Sequence, residues 1–265
     1  MQGAPYTLAD TGAGQKPHGD MVAEAAHSTQ PATSRLARPR WPPLYLASIL
    51  FRFLRMAPQP SRSLIDDLVS YFDQKVEVQA AYFAFLFSSV SQTHDLFLGV
   101  EHTGELAGIQ QMTLLIKNVY LGDNPMYFAS TEHDADTFGI VQEEGLLFFS
   151  RQEDTMVAQE LLKLLFNKSG GPEALVDAVR HHSVYALVDQ AKLQEKILAV
   201  PSFAQGETVM TPLYTQPTML ALAGMAAVPP GLALARVTWS QHLAGAPPRH
   251  VVLNPDTAFT AAFEL

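Results

Sequence analysis

The sequence predicts an α+β protein of two small domains, each a mixed sheet with helices packed on one face, and three observations carry this. After residue 60, amphipathic helical stretches alternate with short β-branched and aromatic runs in the order helix, strand, strand, helix, strand. After Arg151 the pattern restarts with two helices followed by short strands. Of the 265 residues, 48% are hydrophobic and 16% charged, enough apolar material for packed interiors. The expected division is 1–60, 61–151 and 152–265.

Residues 1–60 stand apart from the rest. Lys16, Arg35, Arg38, Arg40, Arg52 and Arg55 oppose only Asp10, Asp20 and Glu24, a net of about +3 beside a whole-chain charge of −9. The segment holds 8 of the 18 prolines and no sustained period, so it is expected to be a disordered, basic arm. One apolar run, Leu44 to Leu54, breaks the pattern, but its 11 residues are about half a membrane span. It is followed by Arg55-Met-Ala-Pro58 rather than by a small-x-small cleavage site. Three readings stay open: an over-long start with Met56 the true beginning, a disordered extension carrying a docking helix, and an unusual targeting segment.

Ser63-Leu-Ile-Asp66 begins a helix in which Leu64, Ile65, Leu68, Val69 and Phe72 share a face and Asp66 and Asp67 sit where the helix dipole favours them. Val78–Val90 and Leu96–Val100 predict a hairpin with Ser91–Asp95 as its loop. A second helix is expected from Gly104 to about Tyr120, with Leu106, Ile109, Met112 or Thr113, and Ile116 on one face, closed by Gly122 and Pro125. Strands are expected at Met126–Ser130, Thr137–Val141 and Gly145–Phe149.

Beyond Arg151, Val157–Phe166 and Pro172–His181 predict helices, the second opened by Pro at its preferred first-turn position. Strands are expected at Val184–Val188, Ile197–Val200, Thr208–Tyr214, Gly231–Val237 and His250–Leu253. Short helices are expected at Thr218–Ala226 and Thr238–Leu243, and Asn254-Pro-Asp256 reads as a turn.

The block Leu64-Ile-Asp-Asp-Leu-Val-Ser-Tyr-Phe72, Ala80-Ala-Tyr-Phe-Ala-Phe85, Asp95-Leu-Phe-Leu-Gly-Val-Glu101 and Met126-Tyr-Phe-Ala129 resembles the C-terminal domain of the SseB (enhanced serine sensitivity) family. Val184-Tyr-Ala-Leu-Val188, Glu207-Thr-Val-Met-Thr-Pro-Leu-Tyr214, Gly231-Leu-Ala-Leu-Ala235 and His250-Val-Val-Leu-Asn-Pro255 resemble its N-terminal domain, so the two types stand in reversed order. The resemblance implies a bacterial cytosolic, regulatory or adaptor-like protein linked to serine sensitivity, and not an enzyme.

The absence of Cys removes disulfides, thiolate nucleophiles and zinc fingers. The acidic balance, 26 Asp+Glu against 17 Lys+Arg, disfavours nucleic acid and anionic membrane as partners. No G-x-S-x-G, P-loop, G-x-G-x-x-G or H-E-x-x-H pattern occurs, and no cofactor is expected. Glu132, His133, Asp134 and Asp136 form a cluster with metal-ligand chemistry, which would suit a metal-dependent hydrolase as the alternative reading, although solvated charge is the norm in such a polar connection. His181-His182 reads as a helix cap, since neighbours on a helix point about 100° apart. His94-Asp95 lacks a serine partner for a catalytic dyad. The aromatic run Tyr82, Phe83, Phe85 and Phe87 carries no interleaved Lys or Arg and reads as a strand whose two faces are both covered, or one of which is an interface. The leading expectation is a non-catalytic binding protein that meets an unknown protein partner, a second copy included, through Phe148 and Phe149 or through the Met219–Met225 stretch with Met219 and Met225.

Overall fold

The computed structural model describes residues 62–88, 92–167, 171–195, 198–205, 208–238 and 250–264, all within one compact unit. The basic arm and most of the helix expected at 238–243 lie outside the described residues; Thr238 itself ends a strand.

Helix α1 (Leu64–Asp73) starts at Ser63 because two orphan donors are satisfied reciprocally there. The Ser63 Oγ accepts the Asp66 N–H at 3.0 Å, and the Asp66 carboxylate accepts the Ser63 N–H at 3.1 Å. Leu64, Ile65, Leu68 and Phe72 are buried as the spacing requires. Strands β1 (Val78–Ser88) and β2 (Thr93–His102) pair antiparallel. Thr93, His94 and Asp95, expected in the loop, are strand and oppose Ser88, Phe87 and Leu86. Helix α2 (Leu106–Leu121) crosses over to β3 (Met126–Ser130), which lies parallel to β2.

Residues 137–141, expected as a strand, belong to helix α3 (Ala135–Glu144). Asp134, in the left-handed region at φ 59°, caps it by accepting the Thr137 N–H at 3.4 Å. The buried residues are Phe138 and Val141, three apart, so the period that decides is helical. β4 (Leu146–Ser150) then pairs with β1, completing a sheet of order β3-β2-β1-β4. One face of this sheet, with Ala81, Phe83, Phe85, Leu96, Leu98 and Phe148, belongs to the same buried cluster as α1. The other, with Ala80, Tyr82, Ala84 and Ala129, is covered by Phe138 and Val141, so helices occupy both faces. Gly99 makes that approach possible: a Cβ there would stand 2.6 Å from Val141 Cγ1. Arg151, at the end of β4, donates to the carbonyls of Val78, Phe72, Asp73 and Lys75 at 2.8 to 3.2 Å and ties α1 to β1.

The second half runs α4 (Met156–Asn167), α5 (Pro172–His181), β5 (Ser183–Asp189), α6 (Gln190–Gln194), β6 (Phe203–Gln205), β7 (Thr208–Leu213), α7 (Thr218–Leu222), β8 (Leu232–Thr238), β9 (His250–Leu253) and β10 (Ala261–Glu264). β5 and β8 form an antiparallel pair, and a second sheet has the order β10-β9-β7-β6 with β7 and β9 parallel. A bridge between Tyr185 and Tyr214 links the two. Leu198–Val200, expected as a strand, has no regular structure; a lone bond from the Asp189 N–H to the Ala199 carbonyl holds it. α6, β6 and β10 were not expected.

The four-stranded sheet β3-β2-β1-β4 precedes Arg151 and the other two sheets follow it, yet the apolar interior does not divide there. A single cluster of buried side chains extends from Leu64 to Phe259. Phe85 of β1 packs against Phe166 of α4 and Phe259 near the C-terminus, with ring centroids 6.2 and 5.7 Å apart. Phe83 stacks on Phe148 at 4.7 Å and meets Phe166 at 5.4 Å. Aromatic pairs at these separations add to plain burial.

Candidate functional site

The residues expected to form a contact surface are buried or half-buried. Phe148 and Phe149 are both core residues, because a register irregularity where β4 opposes Ala81 and Tyr82 turns two consecutive side chains to one face. Met219, on α7, is fully buried, and Met225 is half-buried against the same core. A strand of alternating faces would have sent one of the two phenylalanines outward, and the sequence carries no mark of the irregularity.

The acidic loop serves turn geometry. The His133 N–H donates to Ser130 Oγ at 3.0 Å and the Ser130 N–H to the His133 carbonyl at 2.8 Å. Asp134 caps α3 and Asp136 sits in its first turn. Glu132, His133, Asp134 and Asp136 are not brought together as a ligand set: among the described residues no three His, Asp or Glu side chains form a group able to hold a metal ion. His181 and His182 diverge where the helix ends, His181 towards Asp177 and His182, already extended, towards Asp154, each at 3.2 Å. His94 packs against the Phe87 ring at 5.1 Å, and burial lowers its pKa against the opposing pull of Asp95.

Two features that the sequence did not single out remain. The first is a cleft of about 330 Å³ where the halves meet, lined by Tyr82, Gln142, Asp154, Tyr185, Gln216 and Arg236 among others. Its polar groups are largely consumed by the fold. The Gln216 amide accepts the Leu147 N–H at 2.7 Å and donates to the Gly145 carbonyl at 2.8 Å and to Thr218 Oγ1, completing the outer edge of β4 like a short strand. Burial alone would raise the Asp154 carboxyl, but the N–H groups of Ser183 and Met156 and the charge of His182 outweigh it and hold the carboxyl below its usual range. The Asp154–His182 pair resembles a catalytic dyad, yet His182 presents no hydroxyl nucleophile among its hydrogen bonds. Arg236 is paired with Glu153 at 3.5 Å.

The second feature is the outer face of α2. Ile109 and Thr113 are buried, which turns Met112, Leu115 and Val119 outward with 40%, 53% and 66% of their surface exposed. Gly108 continues this row, with open space where its Cβ would stand. The steps 108, 112, 115 and 119 are four, three and four residues, the spacing that aligns side chains along one side of a helix. Lys117 is the sole charged residue of α2, and its Nζ donates to the Gly122 carbonyl at 2.6 Å, which keeps it at the helix end.

Among the described residues no helix is long and apolar enough to cross a membrane. No family model, curated protein or known structure matches the chain.

Proposed function

We propose that this chain is a non-catalytic, SseB-like regulatory or adaptor protein of the bacterial cytosol that binds a protein partner through the outer face of α2. The observation that carries the reading is the row Met112, Leu115 and Val119, three large apolar side chains turned to solvent on a regular helix. Apolar rows of this kind are the usual substance of helix-mediated recognition, because burying them upon contact is favourable and their spacing defines a direction. The cleft supports the same reading, since the Gln216 amide and the Asp154 carboxylate are committed to backbone groups instead of converging on open space. The resemblance of the strand and turn patterns to the SseB family points towards regulation as well.

The test compares recovery of proteins from bacterial lysate on the tagged full chain and on its Leu115→Glu variant. A protein recovered in stoichiometric amount by the parent chain and lost from the variant is the expected result. Equal recovery by both overturns the α2 face as the binding site. A divalent-cation-dependent rise in melting temperature that His133→Ala abolishes would instead favour the hydrolase alternative at Glu132, His133, Asp134 and Asp136.

A further inference from the structure

We infer that the partner seated on α2 is a second copy of this chain, packed antiparallel across a two-fold axis with Val119 of each copy over Gly108 of the other. The inference rests on the reading of α2 as a protein-binding face and names its occupant.

An isologous contact requires a surface complementary to itself, so that residue i meets j and j meets i. The α2 row satisfies this in a single register. Pairing Val119 with Gly108 places the axis midway between residues 113 and 114, and the same axis pairs Met112 with Leu115. The largest exposure in the row, at Val119, therefore meets its one vacancy, at Gly108, where nothing lies within 4 Å of a Cβ position. Gly108 is the third residue of α2, and its missing side chain lets a helix neighbour approach closely there. The two contact points span eleven residues, about 16 Å along the helix.

Charge permits the pairing. The helix has no acidic residue, and its one lysine is drawn back to the Gly122 carbonyl, so two copies of the row bring no like charges face to face. The flank adds Gln111 and Asn118, polar residues suited to a rim. One helix pair falls in the small class of interfaces, below about 1,200 Å² in total, so the association is expected to depend on concentration.

The chain has no cysteine, which makes the register directly testable in the full-length protein. Sedimentation over rising concentration should show a shift from 29.0 kDa towards twice that mass, and Leu115→Glu should hold the chain at 29.0 kDa. A mixture of Gly108→Cys and Val119→Cys chains should form disulfide-linked dimers under mild oxidation, while either variant alone should not. Cross-linking within the separate Gly108→Cys or Val119→Cys preparations, with no linked heterodimer in the mixture, would overturn the antiparallel register. A monomer at every concentration, or a dimer that Leu115→Glu leaves intact, would overturn the second copy. A monomer whose Leu115→Cys thiol resists alkylation would show the row covered from within the same chain, by the apolar run at 44–54, and would overturn it too. If self-association fails while Leu115→Glu still releases a stoichiometric foreign protein, only this inference falls; if neither is seen, the protein-binding reading falls with it.

Discussion

Replacing Gln216 with alanine tests whether one side chain joins the two halves of the molecule. Gln216 is buried, and its amide makes three hydrogen bonds, two of them to Leu147 and Gly145 on the far side of residue 151. Truncation removes both partners of β4's outer edge and leaves the Gly145 carbonyl in a buried position and the Leu147 N–H in a half-buried one. A buried polar group left unpaired costs about 1–3 kcal/mol, so the two together are worth about 2–6 kcal/mol, with the half-buried Leu147 N–H and water entering through the adjoining cleft favouring the lower end. Urea unfolding followed by far-ultraviolet circular dichroism measures the loss directly, as a lower midpoint at unchanged slope. Gln216→Glu sharpens the test, since a carboxylate still accepts from Leu147 but has no proton to donate to Gly145. A loss below about 0.5 kcal/mol in both variants, the range of an ordinary surface substitution, would refute the bridging role.

Gly99→Ala should destabilise by about 1–3 kcal/mol, because its methyl group meets Val141 Cγ1 at 2.6 Å and must push α3 off the sheet; an unchanged thermal midpoint would contradict the close approach. Asn254, buried at φ 48°, accepts from the N–H and hydroxyl of Thr215 and donates to the Phe259 carbonyl. Asn254→Gly should lose about 1–3 kcal/mol of hydrogen bonding and Asn254→Ala about 1 kcal/mol more for the strained backbone, as read by urea midpoints; a neutral glycine variant would show the side chain idle. Asp154 has its pKa lowered in the folded chain, so its contribution is present above the ordinary carboxylate value and is lost as pH falls through the folded one. Asp154→Asn should therefore be less stable than the parent chain near neutral pH, with the gap closing in acid; a gap constant with pH would contradict the ionised role.

Long periodic elements were legible because their burial pattern is written in the residue spacing. Leu64, Ile65, Leu68 and Phe72 announce α1, and Val184–Val188 announces β5. The failures occur where two periods fit the same letters. Thr137–Val141 alternates well enough for a strand, and only the left-handed cap at Asp134 and the bare backbone of Gly99 show that a helix lies there. Phe148-Phe149 reads as an apolar surface in sequence, and the register irregularity that buries both side chains is silent there. Polar side chains were hard to read for a common reason. Asp134 of the acidic cluster directs its oxygen at a backbone N–H, as do Asp154, Gln216 and Asn254, and a side chain that caps or bridges is indistinguishable in sequence from one that binds a ligand.

The α2 face was illegible for a different reason, which bears on its meaning. Leu106–Leu121 carries one charge in 16 residues, so apolar side chains surround much of the helix and no period names a single inner side. Met112 and Thr113 compete for the core position in the sequence, and tertiary packing decides for Thr113: α2 must lie on the β2–β3 crossover beside α1, where Tyr71 donates to the Gly108 carbonyl and Tyr120 to Asp67. Tyr120 stays protonated well past neutrality, its pKa raised to about 12 by burial and by Asp67, so that anchor holds throughout the physiological range. With the inner side fixed, Met112, Leu115 and Val119 have nowhere to turn but outward. A helix apolar on nearly every side is at rest only when nearly every side is covered. One side of α2 is covered by its own chain, and the row Met112, Leu115 and Val119 on the other side is turned to solvent.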